Sequence, residues 1–185
     1  MYYNIHNGVK EKNIPPIDIN NYPAIKTHLD QFWDKISKRD DKGVTPYNLR
    51  NCAYLDDFNK QKIVYPEITK YLPFYLDENS FMQNDKTFMI TGNHLAYLTV
   101  FLNSSLFKYC YSGIFPELQG GTRELRKIFM DNVRVKTVSN DINLHFHNLI
   151  RSIKMRELEY IDDLIFDLYD LTPEERNVIR EQLEE

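Results

Sequence analysis

The sequence predicts an α+β fold, with a small mixed or antiparallel sheet packed with helices and followed by a C-terminal helical extension. Three observations carry that expectation. Short β-rich runs bounded by turn residues occupy the stretch from Lys62 to Thr91, apolar residues step by three and four on either side of it, and from Asp141 onward the pattern is helical. Aromatic residues make up 14% of the 185 positions, 13 Tyr and 11 Phe with one Trp, and such rings bury enough area for a core at this length.

Met1–Asn20 is polar and carries Pro15-Pro16, which blocks a helix, so it reads as an extended lead-in. Pro23 suits a first helical turn, and Ile25, Leu29, Phe32, Trp33 and Ile36 then recur at helical spacing, which predicts one amphipathic helix ending near Lys38. Lys35, Lys38, Arg39 and Lys42 cluster before Gly43 and Pro46 as a basic turn. Ile63-Val64-Tyr65, Phe74-Tyr75-Leu76 and Thr87–Ile90 read as strands, with Asp77–Ser80 and Gln83–Asp85 as turns. Leu95–Phe107 is strongly apolar and predicts a central core helix presenting Leu95, Leu98, Thr99, Leu102 and Leu106 on one face. Gly113, Pro116, Gly120 and Gly121 break the next stretch, and Arg123, Arg126 and Lys127 lead into an expected strand at Asn132–Val135. Ile142, Phe146, Leu149 and Ile153 mark a helix, Ile161, Leu164, Ile165 and Leu168 another, and Thr172-Pro173-Glu174-Glu175 is a capping box that starts a last one. The expected organisation is a lead-in over 1–20, a main domain over 21–138 and a helical extension over 139–185.

At 42% hydrophobic and 27% charged, the chain is too apolar for wholesale disorder. No run of about 18 apolar residues would span a membrane, and Met1-Tyr2-Tyr3-Asn4-Ile5-His6 lacks the basic and apolar regions of a signal peptide. The expectation is an intracellular, cytoplasmic protein. Cys52 and Cys110 make no disulfide framework and no Cys-x-x-Cys pair, and they read as buried thiols. Net charge is −4, which by itself argues against a polyanionic partner, but Glu157–Glu185 holds 11 acidic residues against Arg176 and Arg180. That local −9 leaves +5 on Met1–Arg156. Phosphate attraction acts within a Debye length of about 8–10 Å, so a positive body with an acidic tail stays compatible with DNA.

Catalytic signatures are missing: there is no Walker loop, Gly-x-Ser-x-Gly, His-Glu-x-x-His or Gly-x-Gly-x-x-Gly, and only 6 Gly in all. His145 and His147, two apart on a helix, point about 200° apart and cannot share an ion there, so they read as surface histidines beside core Phe146. Pro66-Glu67-x-x-Lys70 lacks a second acid for nuclease chemistry and reads as a strand-ending turn.

A resemblance runs from Asn21 to about Val138. Its segments, in order, are Tyr22–Leu29, Arg39–Gly43, Pro46-Tyr47-Asn48-Leu49-Arg50-Asn51-Cys52 and Phe58–Pro66, the most recognisable of them. Asp77 follows, then Ile90-Thr91-Gly92 and Leu98–Phe107 with its Leu-Asn-Ser ending. Ile161–Glu175 is similar to the usual end of such enzymes, although Asp170 stands where Gly is commoner. In this order the segments resemble the TaqI-like C-terminal specificity domain, the target-recognition part of type IIG restriction-modification enzymes and adenine-N6 DNA methyltransferases. The resemblance implies a C-terminal piece whose methyltransferase and any nuclease domain lie upstream. It implies that S-adenosylmethionine and magnesium belong to those parent domains, with no cofactor or catalysis in this chain. The Asn-Pro-Pro-aromatic motif that grips a flipped adenine is absent, since Ile14 separates Asn13 from Pro15-Pro16 and Ile17 follows them.

A methyltransferase that flips its target base needs a separate surface to read base edges while cations hold the phosphates. Candidates for that surface are Arg39, Lys42 and Arg50 in the family-like basic segment, Lys60 and Lys62 before a β-run, and Arg123, Arg126 and Lys127. On a helical turn the last three fall at i, i+3 and i+4, on one face. Arg39 and Arg50 could equally hold the fold by pairing with Asp40 or Asp57. The expected partners are double-stranded DNA and the parent's catalytic domain. A protein-interaction module docking through the acidic helices from Glu157 is the alternative of a different class, and a free-standing enzyme is disfavoured.

Overall fold

Pro23 opens the first helix, α1 (Pro23–Asp30), where its missing N–H costs nothing. The computed structural model describes residues 14–50, 54–71, 73–152 and 158–184; Cys52 and Ile153 lie outside them. The fold is α+β, and the chain divides into two compact units, Met1–Leu55 and Asp56–Glu185.

In the first unit the expected single helix is two, because the chain turns at Phe32 (φ −110°, ψ 16°) before α2 (Trp33–Ile36). Tertiary packing overrides the apolar period here. The Tyr47 hydroxyl donates to Asp30 at 2.5 Å, Lys26 Nζ donates to the same carboxylate at 2.8 Å, and the Trp33 and Tyr47 rings meet at 5.4 Å. Asn48 is buried and donates to the Ile17 carbonyl at 3.0 Å, which seats the segment after Pro15-Pro16.

The second unit is built on β1 (Lys62–Pro66), the middle strand of an antiparallel sheet with β3 (Tyr75–Asp77) and β4 (Thr87–Ile90). Ile63 faces Leu76 and Ile90, and alternation along β1 buries Ile63 and Tyr65. A second ladder, invisible to period-based reading because each strand has two residues, pairs β2 (Ile68–Thr69) with β5 (Arg123–Glu124). The core helix expected over Leu95–Phe107 is broken at Ser104 into α3 (Leu95–Asn103) and α4 (Ser105–Ile114). Ser104 is extended and its hydroxyl accepts from the Phe107 amide, a role that serine fills better than a helix interior. Asp162 accepts the Ser105 amide at 2.7 Å and also its hydroxyl. After α5 (Lys127–Met130), the strand expected at Asn132–Val135 does not form. Val133 and Val135 instead line a cavity of about 210 Å³ with Ile90, Leu98, Leu102 and Met130, so their side chains find partners although their backbone joins no ladder.

Helices α6 (Asn140–Ser152), α7 (Leu158–Leu168) and α8 (Pro173–Glu184) complete the unit. Phe146, Ile165, Phe166 and Ile179 lie in the same apolar cluster as Ile63, Leu102 and Phe107. The α7 terminus is a Schellman ending: Leu171 N–H bonds the Phe166 carbonyl, Asp170 N–H bonds that of Asp167, and Asp170 is left-handed at φ 58°. That is the position where the resembled family favours glycine. The capping box closes as the sequence predicts, with Thr172 N–H to Glu175 at 2.8 Å and Glu175 N–H to the Thr172 hydroxyl at 3.3 Å. Cys110 is exposed on α4, contrary to the expected burial, because Phe107 and Tyr111 take the inward positions. Among the described residues no helix is long and apolar enough to cross a membrane.

Candidate nucleic-acid interface

Electrostatics sort the expected cations by what each already touches. Arg39 is partly buried and donates to the carbonyls of Pro46 at 3.0 Å and Asn48 at 2.8 Å, so it braces the basic turn through backbone oxygens rather than through Asp40 or Asp57. Lys42 donates to the Ser37 carbonyl at 3.1 Å, and Arg50 is exposed and paired with Asp41 at 2.9 Å. Gly43 and Asn48 close the turn between them through a backbone bond of 2.8 Å.

In the second unit, Lys60 is exposed and bonds Asp57 at 2.5 Å, which raises its pKa. Lys62 corrects the expectation of a groove-lining residue. Its side chain is 0% exposed, donates to the Phe58 carbonyl at 2.8 Å and pairs with the equally buried Asp77. Burial alone would raise the Asp77 pKa, but Lys62 and the amides of Asn79 and Phe81 outweigh it and the net direction is down. This pair ties β1 to β3, and a buried ammonium cannot reach a phosphate.

Arg123, Arg126 and Lys127 do not share a helical face, the second correction. Arg123 lies in β5, Arg126 is the residue before α5, and only Lys127 is helical, because β2 draws Arg123-Glu124 into a ladder. Arg123 donates to the Phe115 carbonyl at 2.6 Å, pairs with Glu117 at 3.3 Å and lies over the Tyr111 ring. Arg126 meets Glu124 at 2.8 Å and Glu67 at 4.0 Å, and Lys127 meets Asp131 at 2.5 Å. Lys86 lies 3.9 Å from Glu67, which accounts for the acid of the Pro66-Glu67-x-x-Lys70 segment.

Charge counting missed a second set. Lys35, Lys38, Lys70, Lys108 and Arg134 are exposed and make no ion pair among the described residues. Sequence could have flagged part of this division, since Asp57–Lys60 and Lys127–Asp131 stand at i,i+3 and i,i+4. The pairs that cross strands carry no such signal.

The histidines resolve in the same way. His145 is exposed, while His147 turns to Glu78 at 2.7 Å. Glu78 also accepts from Arg151 at 2.9 Å and Gln61 at 2.9 Å, which holds the turn after β3 on α6. His147 first, then Arg151, pull the Glu78 carboxyl down to about 2. Among the described residues no group of three or more His, Cys, Asp or Glu could hold a metal ion.

Comparison with known proteins bears on this surface. The family model described as "TaqI-like C-terminal specificity domain" matches residues 12–133, a stretch that includes all eight expected cations. The chain is also similar to "Type II methyltransferase M.BstVI" of Geobacillus stearothermophilus, 20% identical over 173 residues that cover 91% of this chain and 31% of that protein. It therefore spans about a third of the length of the curated relative it matches.

Proposed function

The chain belongs to the TaqI-like C-terminal specificity domain family, and from that premise we propose that it is the DNA target-recognition module at the C-terminal end of a type IIG restriction enzyme or adenine-N6 methyltransferase. In this reading the chain selects the site and positions a catalytic domain that carries the S-adenosylmethionine chemistry. The match over residues 12–133 carries the proposal. The exposed cations without acidic partners support it, because a phosphate can bind them without first displacing a carboxylate. Arg50, Lys60, Arg126 and Lys127 are available at greater cost. Their exposed ion pairs are screened by solvent and can exchange a carboxylate for a phosphate. Lys42 and Arg39 shape the turn that presents Arg50.

Fluorescence anisotropy with a labelled duplex tests the reading. Each phosphate neutralised contributes a slope of about −0.9 in log affinity against log salt, so a few contacts give a weak complex that loosens steeply between about 50 and 200 mM salt. Binding that ignores salt, or no binding at the lower salt, overturns it.

A further inference from the structure

The short ladder of β2 and β5 is the base of a projecting ribbon. Glu67 roots it in the main sheet, donating its amide to the Lys86 carbonyl at 3.0 Å and accepting the Leu125 amide at 2.7 Å. Arg123 bridges to Glu117 on its other side, and Leu118 N–H bonds the Thr122 carbonyl at 2.7 Å, so residues 117–123 form a hairpin whose tip is Gln119-Gly120-Gly121. Both glycines are left-handed, at φ 77° and 73°, and a Cβ built on either meets nothing within 4 Å. The tip stands free. On antiparallel strands the residues after Thr69 and those before Arg123 run to the same end, so Lys70 and Tyr71 leave the ladder on the side of that tip.

What this end presents is unspent. The Thr69 hydroxyl is used in its own turn, donating to the Tyr71 carbonyl at 2.5 Å and accepting the Tyr71 amide at 3.0 Å. Lys70 makes no ion pair, the Gln119 side-chain amide makes no hydrogen bond among the described residues, and Tyr71 is 75% and Ile68 50% exposed. The ribbon's three carboxylates do not repel a polyanion unopposed, because Glu117 faces Arg123, Glu124 faces Arg126, and Glu67 faces Arg126 and Lys86.

We propose that this ribbon end enters the DNA major groove and reads base edges, with Gln119 as a specificity-determining residue, Lys70 on a neighbouring phosphate and Tyr71 packed on a thymine methyl. The inference rests on the proposed recognition function and deepens it. A two-stranded ribbon fits a major groove about 12 Å wide, and a glutamine amide matches the paired donor and acceptor of adenine N6 and N7. Neighbouring glycines let the backbone approach where a side chain would hold it off. Arg123, pinned at the ribbon's base, is then a positioning residue and not a reader.

Selection from a pool of randomised duplexes, using the full chain, tests the proposal. The wild type enriches a motif with adenine at one position, Gln119→Ala reduces that preference about ten-fold while affinity for the unselected pool stays within about two-fold, and Gln119→Glu moves it toward cytosine, whose N4 amine a carboxylate accepts. Lys70→Ala lowers affinity for all sequences alike and flattens the salt slope by about one. If all variants enrich the wild-type motif with unchanged base frequencies, the ribbon is not the reader although the chain still recognises DNA. If the wild type retains no duplex, or retains duplex without enriching any motif, the recognition reading itself falls and this inference with it.

Discussion

Lys62 sits where water does not reach, and its charge is tolerable there only while Asp77 and the Phe58 carbonyl remain beside it. Lys62→Ala leaves an uncompensated buried carboxylate, so urea unfolding should show a loss of about 3–5 kcal/mol, far more than the loss for Lys60→Ala at its exposed pair. Glu78 gives the protein a pH dependence of known direction. Its folded pKa, about 2, lies below the ordinary 4.5. The stability it contributes is therefore complete above pH 4.5 and is lost as pH falls toward 2. Melts of wild type and Glu78→Gln should differ most near neutrality and converge in acid; a constant difference would remove Glu78 from the account. Neither role could be read from residue type. Lys62 in sequence is one more cation ahead of a strand, and its partner lies 15 residues away across an intervening turn.

Elements whose logic is local were legible, and those decided by a distant partner were not. The α8 capping box and the strands over residues 62–66 and 87–90 follow from spacing alone. The break between α3 and α4 depends on Asp162, which satisfies the first amide of α4 from 57 residues away. The β2–β5 ladder depends on two residues finding two others, too short a run to show a period. That is why Arg123, Arg126 and Lys127 suggested a common helical face that the fold does not build. Asp162→Ala should leave the Ser104 cap of α4 in place but the partly buried Ser105 amide without a partner, a cost of about 1–3 kcal/mol. Asp163→Ala, which removes an exposed pair with Arg180, should cost under about 1 kcal/mol. Equal losses in thermal unfolding would contradict the role given to Asp162.

At the scale of the whole molecule, the α+β class and the family are legible in the sequence, while the surface proposed to meet DNA depends on which cations the fold leaves unpaired. The C-terminal helices read as an appendage because their charge is so acidic. Their inward residues nevertheless complete the core: Ile165 and Phe166 are 0% exposed beside residues of α3 and α4. A chain ending at Val138 should therefore lose its cooperative thermal transition, whereas a separate recognition domain over 21–138 would keep it.

The clasp between Asp162 and Ser105 also sets an order of events in time. On the ribosome α3 and α4, with their apolar side chains, emerge long before Asp162 exists to bond Ser105, or Ile165 and Ile179 to pack in the same cluster. At about 5–20 residues per second the interval from Ser105 to Asp162 is about 3–11 s. During that interval Val100, Phe101 and Leu102 are sticky surface, and a nascent chain stalled before Asp162 should be cut by protease within α3, whereas one extended through α8 should resist cutting there. The second unit thus finishes folding only once α6, α7 and α8 have been made, and it needs a holding chaperone most while α3 waits for them.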